Sequence, residues 1–163
     1  MTEFFINFGA TVLGGLSLGL IAFLWKERIH PLPNIDGRWI LEQTSHKSEY
    51  KPFVNLTITY MVLLARNGLE IYGSAEKIKD RTESGDVREY VGENRTRSII
   101  SGHIERNYLK RNRIFIHVEE HGEKRISSTF HTLGIENNNN LEGRFTSTIA
   151  NQEGVVRWIK NAS

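Results

Sequence analysis

The run His117-Val118-Glu119-Glu120-His121 matches the H-x-x-E-H pattern, in which two imidazoles on one helical face hold zinc beside a carboxylate that activates water. Ile114, Ile116 and Val118 around it alternate as in a β-strand instead. On a strand His117 and His121 stand about 13 Å apart, too far to share one zinc. There are 0 Cys, so no thiolate ligand and no disulfide framework is available. The chain also carries no phosphate-binding P-loop, dinucleotide fingerprint or nucleophile elbow. The expectation is a non-catalytic protein with no metal and no cofactor. The remaining chemistry is cationic and polar: two groups of Lys and Arg that could meet anions, whose meaning depends on where the fold puts them.

The 163 residues, 39% hydrophobic and 25% charged, fit one ordinary domain with a short appendage. Lys plus Arg is 21 and Asp plus Glu is 19, a net charge of +2 that argues against wholesale binding of duplex nucleic acid. Phe4 to Trp25 contains no charge and only Asn7, Thr11 and Ser17 as polar interruptions. At about 1.5 Å rise per residue such a helix spans a bilayer core. A signal peptide would need a basic start and a shorter apolar stretch, whereas this chain opens Met-Thr-Glu and leaves the apolar stretch through Lys26-Glu27-Arg28. The positive-inside rule then makes it a single-pass anchor with the C-terminal part cytoplasmic. Thr11, Gly15 and Gly19 repeat every four residues, a small-residue face suited to homo-oligomer formation in lipid.

Pro31 and Pro33 end the helix, and two parts follow: an anchor with its basic flank over 1–30 and a β domain over 31–163. The β domain reads as eight strands: Ile35 to Ser45, Phe53 to Ala65, Leu69 to Lys79, Arg95 to Asn107, Arg113 to His121, Lys124 to Ile135, Leu141 to Ala150 and Val155 to Lys160. Asn67-Gly68 and the Asn137 to Asn140 run mark turns, and Asp80 to Asn94 is the one long connection, expected as a mobile loop. Short antiparallel connections predict an all-β fold, an eight-stranded up-and-down, lipocalin-like barrel.

Alternation assigns the inward side chains, among them Ile35, Trp39, Leu41, Tyr60, Val62, Leu64, Ile71, Ile100, Ile104, Ile114, Leu141, Phe145, Val156 and Trp158. On the sixth strand it selects Ile126, Phe130 and Thr132. Strand direction divides this set between two ends. The end nearer the anchor holds Trp39, Leu64, Leu69, Ile71, Ile104, Ile114, Leu141 and Trp158, an apolar floor. The far end holds Gln43, Ser45, Lys77, Thr96, Ser98, Glu120, Lys124, Ser128 and Ser147, a polar cup. Around that cup lie Lys47, Lys51, Arg88, Tyr90, Arg95, Arg97 and Arg125, cations for phosphate with an aromatic for a base. The candidate ligand set is Gln43, Ser45, Lys77, Tyr90, Arg97, Ser98, Lys124 and Ser128. The second group, Arg106, Lys110, Arg111 and Arg113 with Tyr108 between them, falls at the end nearer the anchor and suits anionic lipid headgroups.

Ile35-Asp36-Gly37-Arg38-Trp39 is a Gly-x-Trp opening like that of lipocalin-type barrels. Behind an N-terminal membrane segment in a small, Cys-free chain, it resembles the transmembrane β-barrel effectors of bacterial anti-phage cyclic-oligonucleotide signalling (CBASS). That resemblance implies a barrel that senses a cyclic nucleotide and membrane helices that assemble to disrupt the inner membrane. Members of that group typically have two membrane helices, and this sequence has one. Two other readings stay open: a membrane-tethered carrier of a small apolar ligand, and a non-catalytic oligomerising scaffold.

Overall fold

A computed structural model describes residues 2–29, 31–107, 110–122, 126–137 and 139–161. It divides into two compact units, residues 1–32 and 33–163. The first is α1 (Thr2–Ile29), whose large apolar side chains from Phe4 to Trp25 are exposed and which is long and apolar enough to cross a membrane. Thr11, Gly15 and Gly19 lie on its exposed surface, and the Thr11 hydroxyl donates to the Asn7 carbonyl at 2.9 Å, satisfying itself within the helix.

The second unit is all β: β1 (Gly37–Lys47), β2 (Thr57–Asn67), β3 (Glu70–Arg81), β4 (Val87–Glu89), β5 (Arg97–Glu105), β6 (Arg113–His121), β7 (Ile126–Asn137), β8 (Asn140–Ser147) and β9 (Gln152–Lys160). Every pairing is antiparallel, and β9 returns to β1 while β2 pairs β3, so eight strands close a barrel and β4 lies only against the tip of β3. Closure leaves those eight strands no open edge to seed pairing with another chain. The expected up-and-down topology is the observed one.

The end at which β1 begins, here the near end, is packed solid. Trp39, Ile71, Ile104, Ile114, Leu133, Leu141 and Trp158 are buried there, and the Trp39 indole donates to the Ile35 carbonyl at 2.7 Å, pinning the approach to β1. Toward the other end of the barrel, opposite Ser45, Gly154 serves the packing by having no side chain, since a Cβ there would run into the Thr44 carbonyl and the Phe145 ring. Two expectations for this core are corrected. Leu69 is 40% exposed because it belongs to the turn before β3. On β7 the phase is reversed: Ser127, His131 and Leu133 are buried, whereas Ile126, Phe130 and Thr132 face outward. Phe130 stacks there on His117 of β6 at 4.6 Å between ring centroids, which recovers part of its apolar contact outside the barrel.

The far end departs from simple strands in three places. β2 starts at Thr57 rather than Phe53, because Lys51–Phe53 forms a 3-10 turn and Asn55 takes a left-handed φ of 58°. The expected loop after Asp80 is instead structured: β3 runs on to Arg81, the chain turns from Thr82 to Asp86, adds β4, and closes with a 3-10 turn at Gly92–Asn94. The third departure is a bulge in β3: Thr59 pairs with Lys79 but the next residue, Tyr60, pairs with Lys77, leaving Ile78 as the extra residue.

Candidate functional site

The bulge at Ile78 resets the alternation of β3 so that Lys77 and Asp80, three residues apart, both face the lumen. Their ammonium and carboxylate meet at 2.8 Å with both side chains mostly buried. Tyr90, delivered by the segment after β4, closes over the pair: its hydroxyl donates to Asp80 Oδ2 at 2.7 Å and its ring lies 4.9 Å from Lys77 Nζ. Arg88 approaches the same ring at 5.2 Å. A backbone bond from Tyr90 N to the Ile78 carbonyl (3.0 Å) and a side-chain bond from Arg95 Nε to the Tyr90 carbonyl (3.1 Å) fix the tyrosine in place. Burial, then the bond to Asp80, raises the Tyr90 phenol above its ordinary value, so it stays a donor.

Across the lumen Tyr60 donates to Glu120 Oε2 at 3.2 Å. Burial and the neighbouring Glu120 charge push Tyr60 well above the usual phenol range, so its proton stays on the hydroxyl. Deeper still, His131 of β7 is fully buried beside Trp158 and Phe145, and burial alone lowers its pKa to about 3. A neutral imidazole has one N–H; its Nε2 lies 3.3 Å from Gln43 Oε1, an acceptor, so the proton sits on Nε2. The Ser45 hydroxyl likewise donates to Gln152 Oε1 at 2.6 Å. Both glutamine carbonyls are thus occupied from behind.

Between these groups is a cavity of about 240 Å³ at the far end of the barrel. Its lining is mixed: Leu41, Phe53, Leu56, Ile58, Val118 and Ile149 are apolar, and Gln43, Lys77, Asp80, Glu120, Ser127 and Thr129 are polar. Beside it, sharing Gly122, is an open depression of about 770 Å³ bordered by Arg88, Tyr90, Arg95 and Arg97. Arg95 and Arg97 both reach Glu76, at 3.2 and 3.3 Å, so two guanidiniums share one carboxylate. Glu89 and Glu93 also border the depression, which leaves its field nearly balanced.

The expected ligand set is therefore only partly assembled. Gln43 and Lys77 line the cavity, and Tyr90 and Arg97 border the depression. Ser45 and Ser98 point inward and are buried, but neither lines the cavity, Ser45 being spent on Gln152. Ser128 is corrected: the reversed phase of β7 turns it outward, where its backbone bonds the Thr148 hydroxyl, and Ser127 and Thr129 take its place. Lys124, with Tyr108 and Arg125, lies outside the described residues. Lys77 faces the lumen as expected, with its ammonium paired to Asp80 at 2.8 Å. Alternation does not select Asp80, Gln152 or His131 and turns Tyr60 inward only as part of the apolar set; it does place Glu120 and Ser147 in the cup. Arg106, Lys110, Arg111 and Arg113 sit at the near end, on the β5–β6 connection and the start of β6. His117 and His121 face outward on β6, His121 pairing with Glu119 at 2.8 Å.

Comparison with protein-family models, curated proteins and solved structures finds no match to the chain.

Proposed function

We propose that the chain is a membrane-anchored receptor whose barrel takes a cyclic nucleotide at its far mouth. The observation that carries this is the pairing of a polar cavity with an arginine-bordered depression, joined where Tyr90 covers Lys77 and Asp80. A cavity of about 240 Å³ is smaller than the roughly 300 to 1,000 Å³ of drug-sized pockets, so it suits one base, with ribose and phosphates outside. Guanidiniums of Arg88, Arg95 and Arg97 offer forked donors for those phosphates. The carboxylates of Asp80 and Glu120 inside speak against phosphate in the cavity itself and against the apolar cargo of a carrier. In this reading α1 anchors the receptor in a bacterial inner membrane, with Thr11, Gly15 and Gly19 as the contact between copies and Arg106, Lys110, Arg111 and Arg113 on lipid headgroups. Ligand-driven assembly would then disturb the bilayer as an anti-phage response.

The test is calorimetry of the full chain in nanodiscs with a panel of cyclic di- and trinucleotides. Binding of at least one member is expected, weakened about tenfold or more when Arg88, Arg95 and Arg97 are changed together to Gln. Because the depression is nearly charge-balanced, affinity should depend on salt far less than for a basic groove. If no member binds, the receptor reading fails and the scaffold reading replaces it.

A further inference from the structure

Inside the cavity, hydrogen-bonding capacity is unevenly spent. Gln43 Oε1 is taken by His131, which forces the Gln43 amide nitrogen to the other side. That nitrogen has no protein partner among the described residues, and the residue lines the cavity, so the network presents it as an N–H donor. The other imidazole nitrogen supports this orientation: His131 Nδ1 is buried with no hydrogen-bond partner among the described residues, so a proton there would be an unmade donor, whereas on Nε2 it is spent on Gln43 Oε1. Glu120 is the complement. Tyr60 holds Oε2, and Oε1 has no protein partner among the described residues. Among the described residues three charges line the cavity; Lys77 and Asp80 cancel in their 2.8 Å pair, which leaves Glu120 as the uncompensated one of these. A carboxylate accepts only, and it accepts best from polarised N–H groups.

We infer that Gln43 and Glu120 read the base edge of the ligand, selecting a guanine-type edge over an adenine-type edge. Guanine presents a ring carbonyl beside two N–H donors, one on the ring and one exocyclic. The carbonyl suits the Gln43 amide, and the paired donors suit the Glu120 carboxylate. Adenine offers one exocyclic donor beside a bare ring nitrogen, and that nitrogen would face a carboxylate oxygen with no proton between them. A lone pair held against a partly desolvated carboxylate is an unmade bond as well as a repulsion. The apolar side chains of Phe53, Leu56 and Ile149 give either ring a face to lie on, so shape does not discriminate and the polar edge must.

This inference rests on the nucleotide reading above, and the test separates the two. Cyclic di-GMP and cyclic di-AMP are titrated against the full chain in nanodiscs, with the parent and with Glu120→Gln, an isosteric change that keeps an acceptor for Tyr60. The parent should bind cyclic di-GMP at least about tenfold more tightly than cyclic di-AMP. Glu120→Gln should narrow or invert that ratio, because an amide can donate to the bare ring nitrogen of adenine. Equal affinity of the parent for both probes overturns base reading while leaving the receptor proposal standing. So does a preference for cyclic di-GMP that Glu120→Gln leaves unchanged. Failure of both probes, and of the wider panel, to bind the parent overturns the receptor proposal and this inference with it.

Discussion

The two ends of the barrel are built from the same eight strands by opposite rules. At the near end inward means apolar: Trp39, Ile104, Ile114, Leu141 and Trp158 fill the lumen with fully buried side chains. At the far end polar side chains turn inward beside apolar ones, and Gln43, Lys77, Asp80, Glu120 and Ser127 border open space together with Leu56 and Ile149. Apolar packing tolerates neither gaps nor water, so the near end is a rigid base. Polar side chains in a half-closed lumen hold one another through directed bonds, as Lys77, Asp80 and Tyr90 do, and leave some capacity unspent. Stability belongs to one end, and the receptor proposal puts recognition at the other.

The comparison is broken most directly at the base. Trp39→Ala should destabilise the chain by about 3 to 5 kcal/mol, since the indole is fully buried and its N–H is bonded to the Ile35 carbonyl. The measurement is the denaturant midpoint of the barrel in detergent. An unchanged midpoint would mean that the near end is not what holds the barrel together.

This difference between the ends also decides what could be read from the sequence. Alternation located the near end well because it equates apolar with inward, and there the equation holds; even the limits of β6, Arg113 to His121, were legible. On β7 the equation misleads. Ile126 and Phe130 outweigh Ser127, Thr129 and His131 in apolarity, yet the latter set lines the polar half of the lumen and the former faces out. Tertiary context overrode pattern at the place where the lumen stops being a core. Asp80 was invisible for another reason. A bulge at Ile78 shifts phase by one residue, and nothing in Glu76-Lys77-Ile78-Lys79-Asp80 announces where the extra residue falls. Gly-x-Trp at Gly37 and Trp39 pointed to a barrel; which polar groups meet inside it depended on those two phase choices.

At the far end the Lys77–Asp80 pair sharpens the contrast. Lys77 lies near a strand end, which suggests a residue dispensable to the fold. Its pairing with Asp80, both side chains mostly buried, says otherwise. Lys77→Met leaves Asp80 and Glu120 in the cavity lining without a cation among the described residues. It should cost about 2 kcal/mol, below the full penalty of a broken buried pair because the cavity admits water. The matching change at Lys47, whose pair with Glu153 is well exposed, should cost less than about 0.5 kcal/mol. Urea midpoints of the two variants decide it. Equal midpoints would make Lys77 a ligand group held in readiness and remove the structural role assigned to its pair.

His131 stands on the seam between the two ends, touching Trp158 on one side and Gln43 on the other, and it makes their coupling titratable. In the folded chain burial holds its pKa near 3, whereas an unfolded histidine titrates near about 6.5. Between those values the unfolded state binds a proton that the folded state refuses, so stability rises with pH across this window. The contribution is fully present above about pH 6.5 and is lost as pH falls toward 3. The limiting slope is about 1.4 kcal/mol per pH unit, and because it is only half-developed at pH 6.5 the loss between pH 6.5 and 5 is about 1.6 kcal/mol. His131→Leu keeps the contact with Trp158 and removes the titrating group, at the cost of the Gln43 bond, so it should start less stable at pH 7 and lose less on acidification. Chemical denaturation of parent and variant at pH 7, 6 and 5 measures the difference in slope. Parallel curves would mean that protonated imidazole is accommodated at the seam, and with it that water from the far mouth reaches the base of the lumen.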